Sequence, residues 1–175
     1  MPIIAKSNGE NFVLCPAGTH AAVCVDIVDV GIVESEFNGE KKKQHKVRVV
    51  WQIDETQDNG KPFTASKRYT LSLHEKAALR KDLESWRGRP FTNQELEGFD
   101  LENLLSIAAL VNVIHEQKNG KTYDNVTTIM RLPKAMEAPT PRDYIRKCNR
   151  TDNSQPVPPT YDSETYVPTD DDVPF

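Results

Sequence analysis

The chain has 175 residues with 22 Lys and Arg, 26 Asp and Glu and a formal net charge of −4, a length that allows one ordinary domain plus a tail. Residues 151–175 contain six of the acids and no base, so this tail carries −6 and residues 1–150 carry about +2. Three cysteines, four scattered histidines and short apolar runs predict no disulfide framework, no metal site, no cofactor and no membrane helix. The start has no signal-peptide hydrophobic region, so we expect a cytoplasmic protein.

Residues 19–35 begin as a strand in which valine and isoleucine alternate with other residues. The apolar phase shifts just before Gly31, and such a shift beside a glycine indicates a bulge or a sharp bend. Asn38 and Gly39 form a hairpin signal, so the second strand should return antiparallel. Three consecutive lysines, 41–43, lie on that turn or its exit.

The next two strands each have an apolar and a polar face. In the second strand Trp51 shares its phase with three aliphatic residues, whereas Lys46 and Arg48 point the other way. A turn at 58–62 leads to a third strand from residue 63 to about residue 71. The alternation therefore predicts Trp51 in the core and Lys46 and Arg48 on the surface.

After the third strand the sequence becomes helical. Ser72 and Glu75 have the spacing of a capping box, and a Leu-Leu-Trp stripe follows at helical spacing. Gly88 and Pro90 predict the end of this helix. A second capping box at 92–95 predicts another short helix.

Two more strands follow, at 104–115 and 123–132, joined by a turn at 118–121. The predicted fold is mainly β: a five-stranded Greek-key barrel of the OB type, with a helical insertion between strands 3 and 4, in residues 1–138. Residues 139–175 are rich in proline and poor in aliphatic periodicity, which predicts a disordered acidic tail. Local docking of Tyr144 is left open by the sequence.

The candidate binding residues combine positive side chains with aromatic rings on strands 2 and 3 and on the two hairpins. Backbone phosphates require a distributed positive groove, and unpaired bases require flat aromatic partners. Tyr69 shares its phase with Leu71, which leaves both a core and a surface position open for its ring. The predicted DNA-binding residues are Phe37, Lys41, Lys42, Lys43, Lys46, Arg48, Phe63, Lys67, Arg68, Tyr69, Lys118, Lys121 and Tyr123.

The end of the tail combines three carboxylates with an apolar terminus. Its residues are Asp170, Asp171, Asp172, Val173, Pro174 and Phe175. A terminal Phe, with its ring and its own α-carboxylate, fits a pocket that has an apolar floor and a basic rim. We therefore expect these six residues to bind a partner protein.

Several stretches resemble a family of bacteriophage single-stranded DNA-binding proteins with an OB barrel. They are CPAGTH at 15–20, KRYTLSLH at 67–74, LESWRGRPF at 83–91 and FDLEN at 99–103, within a resemblance that spans roughly residues 10–135. The end of the tail is similar to the acidic tip of bacterial single-stranded DNA-binding proteins, Asp-Asp-Asp-Ile-Pro-Phe, with Val173 in place of Ile.

The resemblance implies non-sequence-specific binding and protection of single-stranded DNA in phage DNA replication, recombination or repair, in the host bacterial cytoplasm. It also implies that the tip recruits replication or recombination proteins. The helical region is longer than in the bacterial type, so we expect a monomer or dimer rather than the bacterial tetramer.

Three other functions were weighed against single-stranded DNA binding. An enzyme is not expected, because the chain has no phosphate-binding loop and no nucleophile elbow. Asp26 and Asp29 resemble a nuclease metal pair only weakly, because no third ligand is recognisable. An OB-fold protein-interaction adaptor and a single-stranded RNA-binding protein remain alternatives, since RNA binding uses the same stacking chemistry.

Overall fold

The computed structural model describes residues 13–149, which form a mainly β structure with few helices, as predicted. The strands are β1 (Gly18–Phe37), β2 (Glu40–Thr56), β3 (Pro62–Thr70), β4 (Ala108–Lys118) and β5 (Lys121–Met130). The α-helices are α1 (Ala78–Arg87) and α2 (Asn93–Glu97), and short 3-10 segments span Leu101–Leu104 and Lys147–Asn149. All five strands form one antiparallel sheet in the order β3-β2-β1-β4-β5. No helix within residues 13–149 is long and apolar enough to cross a membrane.

Strands β1 and β2 form a long hairpin that extends beyond the rest of the sheet. Its turn places Asn38 and Gly39 at positive φ, as the Asn-Gly pair predicted. The register shifts between Asp29 and Gly31, which confirms the predicted bulge, and it also shifts between Cys24 and Asp26. Beyond this point residues 32–37 and 40–45 pair with each other, and we call this ribbon the arm.

The main core lies on one face of the sheet, between the strands and α1. Trp51 is completely buried there, with its ring centroid 5.9 Å from that of Trp86. Trp86 is held in place because its Nε1 donates a hydrogen bond to the Ala108 carbonyl at 2.8 Å. The prediction that Trp51 faces inward is therefore confirmed.

Of the two predicted capping boxes, one is present in the structure and the other is not. The box at 92–95 is present, because Thr92 accepts from the Glu95 amide and the Glu95 side chain accepts from the Thr92 amide. The box at Ser72 was wrong, because α1 begins only at Ala78 and has no side-chain cap. The Ser72 hydroxyl instead accepts from the His74 amide at 3.2 Å, a local bond of the kind that competes with helix initiation.

Residues 142–147, which we call the strap, lie against the outer face of the sheet, opposite the main core. The Arg142 amide donates to Gln52 Oε1 and the Gln52 Nε2 donates to the Arg142 carbonyl, both at 2.7 Å. Tyr144 packs against a small cluster of Val23, Val25 and Val50. Tyr144 therefore docks on the sheet, a point that the sequence left open. Residues 150–175 of the predicted tail, including the six-residue tip, lie outside the described residues.

Candidate functional site

Four basic residues share the outer face of strands β2 and β3, and we call them the basic face: Lys42, Lys46, Arg48 and Arg68. Alternation along β2 turns the first three outward, while Val47, Val49 and Trp51 turn into the core. Arg48 lies directly opposite Arg68 in the β2–β3 register. This opposition places two arginines at neighbouring positions on one face of the sheet.

The positions beside the basic face in register carry no negative charge. Arg48 is flanked by Val28 on β1, and Lys46 lies between Gly31 on β1 and Thr70 on β3. Lys46 Nζ donates to the Thr70 hydroxyl at 2.7 Å. The residue opposite Lys42 is Ser35. The four cations therefore form a stripe along β2 that continues into the arm.

The lysine triplet predicted on the first turn lies in β2, and its members are divided between two faces. Lys42 belongs to the basic face, whereas Lys41 and Lys43 are opposite Glu36 and Glu34 of β1. Lys43 Nζ lies 3.5 Å from Glu34 Oε1, with both side chains well exposed. Such exposed pairs contribute little energy each and are screened by salt. The structure describes no side-chain placement for Phe37, at the tip of the arm.

Lys67 lies away from the basic face and takes part in a local network. Its Nζ is 2.7 Å from Asp82 Oδ2 on α1, and the same oxygen accepts a hydrogen bond from the Tyr69 hydroxyl at 2.7 Å. Burial and the neighbouring Asp82 carboxylate raise the pKa of Tyr69 well above its ordinary value. Lys67 and Tyr69 therefore join β3 to α1.

Two of the predicted aromatic residues lie in the core. Phe63 is 9% exposed and Tyr69 is 3% exposed, and both belong to the main hydrophobic cluster. Neither ring presents a face to solvent on which a base could stack. Tyr123 on β5 is half-buried.

The second hairpin is separated from the basic face by the length of β1. Lys118 and Lys121 pair with each other at the tip of the β4–β5 hairpin. Strand β4 leaves the β1 pairing at Val113, which lies opposite Gly18 at the start of β1, and then runs on to this tip. The arm lies at the other end of β1. These two lysines and the basic face therefore lie toward opposite ends of the sheet and form two separate positive regions.

A buried carboxylate that the sequence did not assign holds the strap in place. Asp26 is 1% exposed and accepts hydrogen bonds from the Tyr144 hydroxyl (3.2 Å), Arg146 Nε (3.3 Å) and the Lys147 amide (2.7 Å). Arg146 also forms two bonds of 2.7 Å to the carboxylate of Glu102. The hydrogen bonds to Glu102 and then Asp26 raise the pKa of Arg146, so its charge is held throughout the ordinary pH range.

The Asp26 and Asp29 carboxylates are engaged in different contacts, which weakens the metal-pair reading further. Asp26 holds the strap, whereas Asp29 accepts from His45 Nε2 at 2.6 Å and from the Gly31 amide at 2.8 Å. The bond from His45, followed by that from Gly31, lowers the pKa of Asp29. Within residues 13–149 no group of three His, Cys, Asp or Glu side chains is arranged to hold a metal ion.

The strap limits the open part of the outer face. It covers the sheet around Val50 and Gln52, and Arg142 reaches further along β2 to donate to the Asp54 carbonyl at 2.9 Å. The strap therefore covers the part of the outer face next to Gln52, and the basic stripe continues along β2 toward the arm.

No protein-family model matches the chain. No curated protein matches it significantly either.

Proposed function

We propose that this protein binds single-stranded DNA without sequence preference, through the basic face of an OB-type barrel. The observation that carries the proposal is the direct opposition of Arg48 and Arg68, with Lys46 and Lys42 along the same stripe of β2. A distributed row of cations suits a phosphate backbone better than it suits a compact anion.

The strand arrangement supports the OB-type barrel. A helix lies between β3 and β4, where this fold commonly has one, and strands β3 and β5, the two edges of the sheet, approach each other. Lys67 Nζ on β3 lies 3.5 Å from the Thr127 carbonyl on β5. The usual ligand face of such a barrel is formed by strands 2 and 3, which is where the basic face lies.

The proposed interface would be dominated by phosphate contacts. Of the aromatic residues predicted to stack on bases, Phe63 and Tyr69 are buried, which leaves Tyr123 and the undescribed ring of Phe37. Binding should therefore depend strongly on salt and weakly on base identity, because counterion release is independent of sequence. This behaviour suits a protein that coats and protects single strands during phage DNA replication, recombination or repair.

The decisive experiment is a fluorescence titration of labelled oligo-dT at several salt concentrations. If four phosphates are neutralised, log K should fall with log salt at a slope near −2.8, from about −0.7 per phosphate on a single strand. Replacing Lys46 and Arg48 together by Ala should reduce the magnitude of this slope by about 1.4, since two of those contacts are removed.

The matched control replaces Lys61 and Lys76 by Ala, which removes the same charge at two exposed positions away from the basic face. This control should keep the native slope. A response to salt that is flat, or equal losses in the two double variants, would contradict the proposed interface. Competition with RNA and duplex DNA in the same titration tests the choice of single-stranded DNA, and an absence of binding to all three polymers would favour an adaptor.

The proposed function includes recruitment of a replication or recombination protein by the tip from Asp170 to Phe175. The support is chemical: an apolar side chain beside a free α-carboxylate and three acids matches an apolar pocket with a basic rim. Because residues 151–175 carry a charge of −6, this segment should be repelled by DNA phosphates and should not itself bind DNA.

A further inference from the structure

The two long sides of the arm carry opposite charges. The β1 side contains Glu34 and Glu36, and the β2 side contains Glu40 followed by the three lysines, so the sides carry −2 and +2. Strand β4 pairs with β1 only over Gly18–Val23, and β3 pairs with β2 only from Lys46 onward. At the base of the arm the Leu71 amide donates to the His45 carbonyl at 2.8 Å, and beyond that point, within residues 13–149, no third strand pairs along either side.

The charges on the arm select among the ways in which it could add strands. Edge strands are commonly protected from pairing by charges, and a single sign on both edges would block every arrangement. Here two β1 sides that met would oppose acids to acids, and two β2 sides would oppose lysines to lysines. A β1 side that met a β2 side would instead oppose Glu34 and Glu36 to Lys43 and Lys41, the pairing that already exists inside the arm.

We propose that the arm binds the arm of a second copy of this chain, with the β1 side of one molecule against the β2 side of the next. The contact extends the antiparallel sheet from one molecule into its neighbour. Because the two surfaces differ, each bound copy leaves one β1 side and one β2 side open, so the association continues head to tail rather than closing as a two-fold dimer.

An exposed apolar side chain on the arm supports a protein partner. Ile32 is 70% exposed, the highest value among the large hydrophobic residues that the structure describes as exposed. It lies opposite His45 and on the same face as Glu34 and Lys43. A neighbouring strand would cover one flank of Ile32, whereas a phosphate backbone would leave it in water. In the proposed register a second copy of the arm places its His45 beside Ile32 and supplies the complementary charges.

The test uses the full chain without DNA, so its result is independent of the proposed nucleic-acid binding. One variant, E34K/E36K, has two basic sides, and the other, K41E/K43E, has two acidic sides. Sedimentation velocity over a range of concentrations measures self-association. The native protein should show a sedimentation coefficient that rises with concentration, and each variant alone should lose this rise because like charges meet at every contact.

In an equimolar mixture of the two variants the sedimentation coefficient should again increase with concentration. The quadruple variant E34K/E36K/K41E/K43E should show the same increase. The mixture is the sharper control, because it restores complementary contacts between molecules but not the pairs inside each arm. Ile32→Ser should weaken association without a change in charge. A native protein that sediments as a monomer at every concentration, or a mixture that fails to regain association, would overturn the proposal.

Discussion

Single residues on β2 have separate roles because neighbouring positions face opposite sides of the sheet. Lys46 and Arg48 lie on the outer face, while Val47, Val49 and Trp51 lie in the core. The sequence predicted this division from alternation alone, since a half-buried strand repeats every two residues. It could not decide the position of Tyr69, because that ring is held inside by a hydrogen bond to Asp82 on α1, a contact between two elements.

The first prediction at this scale is that Trp51→Ala destabilises the protein by roughly 3–5 kcal/mol, as for other buried aromatic residues. Trp51 is 0% exposed and packs on Trp86, so truncation leaves a cavity in the main core. Urea denaturation monitored by circular dichroism measures the free energy of unfolding. Lys46→Ala serves as the comparison and should leave that free energy nearly unchanged. A stable Trp51→Ala protein that has lost DNA binding would reverse the assignment of Trp51.

Cysteine reactivity gives a second prediction. Burial raises the pKa of Cys15 and of Cys24 to about 12, whereas Cys148 is exposed. Since the thiolate is the reactive form, a disulfide reagent such as DTNB at pH 8 should modify only Cys148 rapidly in the folded protein. All three thiols should react at once in guanidinium chloride. Cys148→Ser should remove the fast phase, and a fast phase that persists would show that the strands around Cys15 or Cys24 open readily.

At the scale of elements, the sequence predicted the five strands, the β1–β2 hairpin and the bulge at Gly31 from local signals. It did not predict the strap, because the contacts of Asp26 join residues 118 to 121 positions apart. Nothing in the residues next to Asp26 indicates that its carboxylate is buried. Its role becomes visible only through the contact with Arg146, which is distant in the sequence. The Ser72 box failed for a related reason, since the start of α1 is fixed by packing of Leu79 and Leu83 rather than by a cap.

The prediction for the strap is that Asp26→Asn releases it. Asparagine keeps the size of the side chain but removes the charge that Arg146 and the Lys147 amide share, at a cost of about 1.5–3 kcal/mol. Limited trypsin digestion, followed by mass spectrometry, should then cleave after Arg142, Arg146 or Lys147 faster than in the native protein.

Asp54→Asn is the matched control for this variant. Asp54 is exposed and contacts the strap only through its backbone carbonyl, which the substitution retains. The digestion rate of the control should equal that of the native protein. Equal rates for all three proteins would mean that the Asp26 contacts do not hold the strap.

For the whole molecule, the uneven charge is the property that the sequence gives most directly. Residues 151–175 carry −6 and the rest of the chain about +2. Deleting residues 151–175 should leave oligo-dT binding equal or tighter, with the largest gain at low salt, because a segment of charge −6 is expected to repel DNA and to compete weakly for the basic face. Deleting Phe175 alone should leave DNA affinity unchanged and abolish capture of a partner from host lysate. Loss of DNA binding on deletion of the tail would show that the tail belongs to the binding surface.

The long-range contacts of Asp26 also fix the order of events during synthesis. Asp26 and the Lys147 amide are 121 residues apart in the chain, an interval of about 6–24 s at 5–20 residues per second. Throughout that interval the Asp26 carboxylate lacks Arg146, and the outer valines lack Tyr144. The nascent sheet therefore exposes an apolar patch beside an unpaired charge until nearly the whole described chain has been made. The strap can dock only after the region around Lys147 has been made, whereas β1 and β2 can pair earlier.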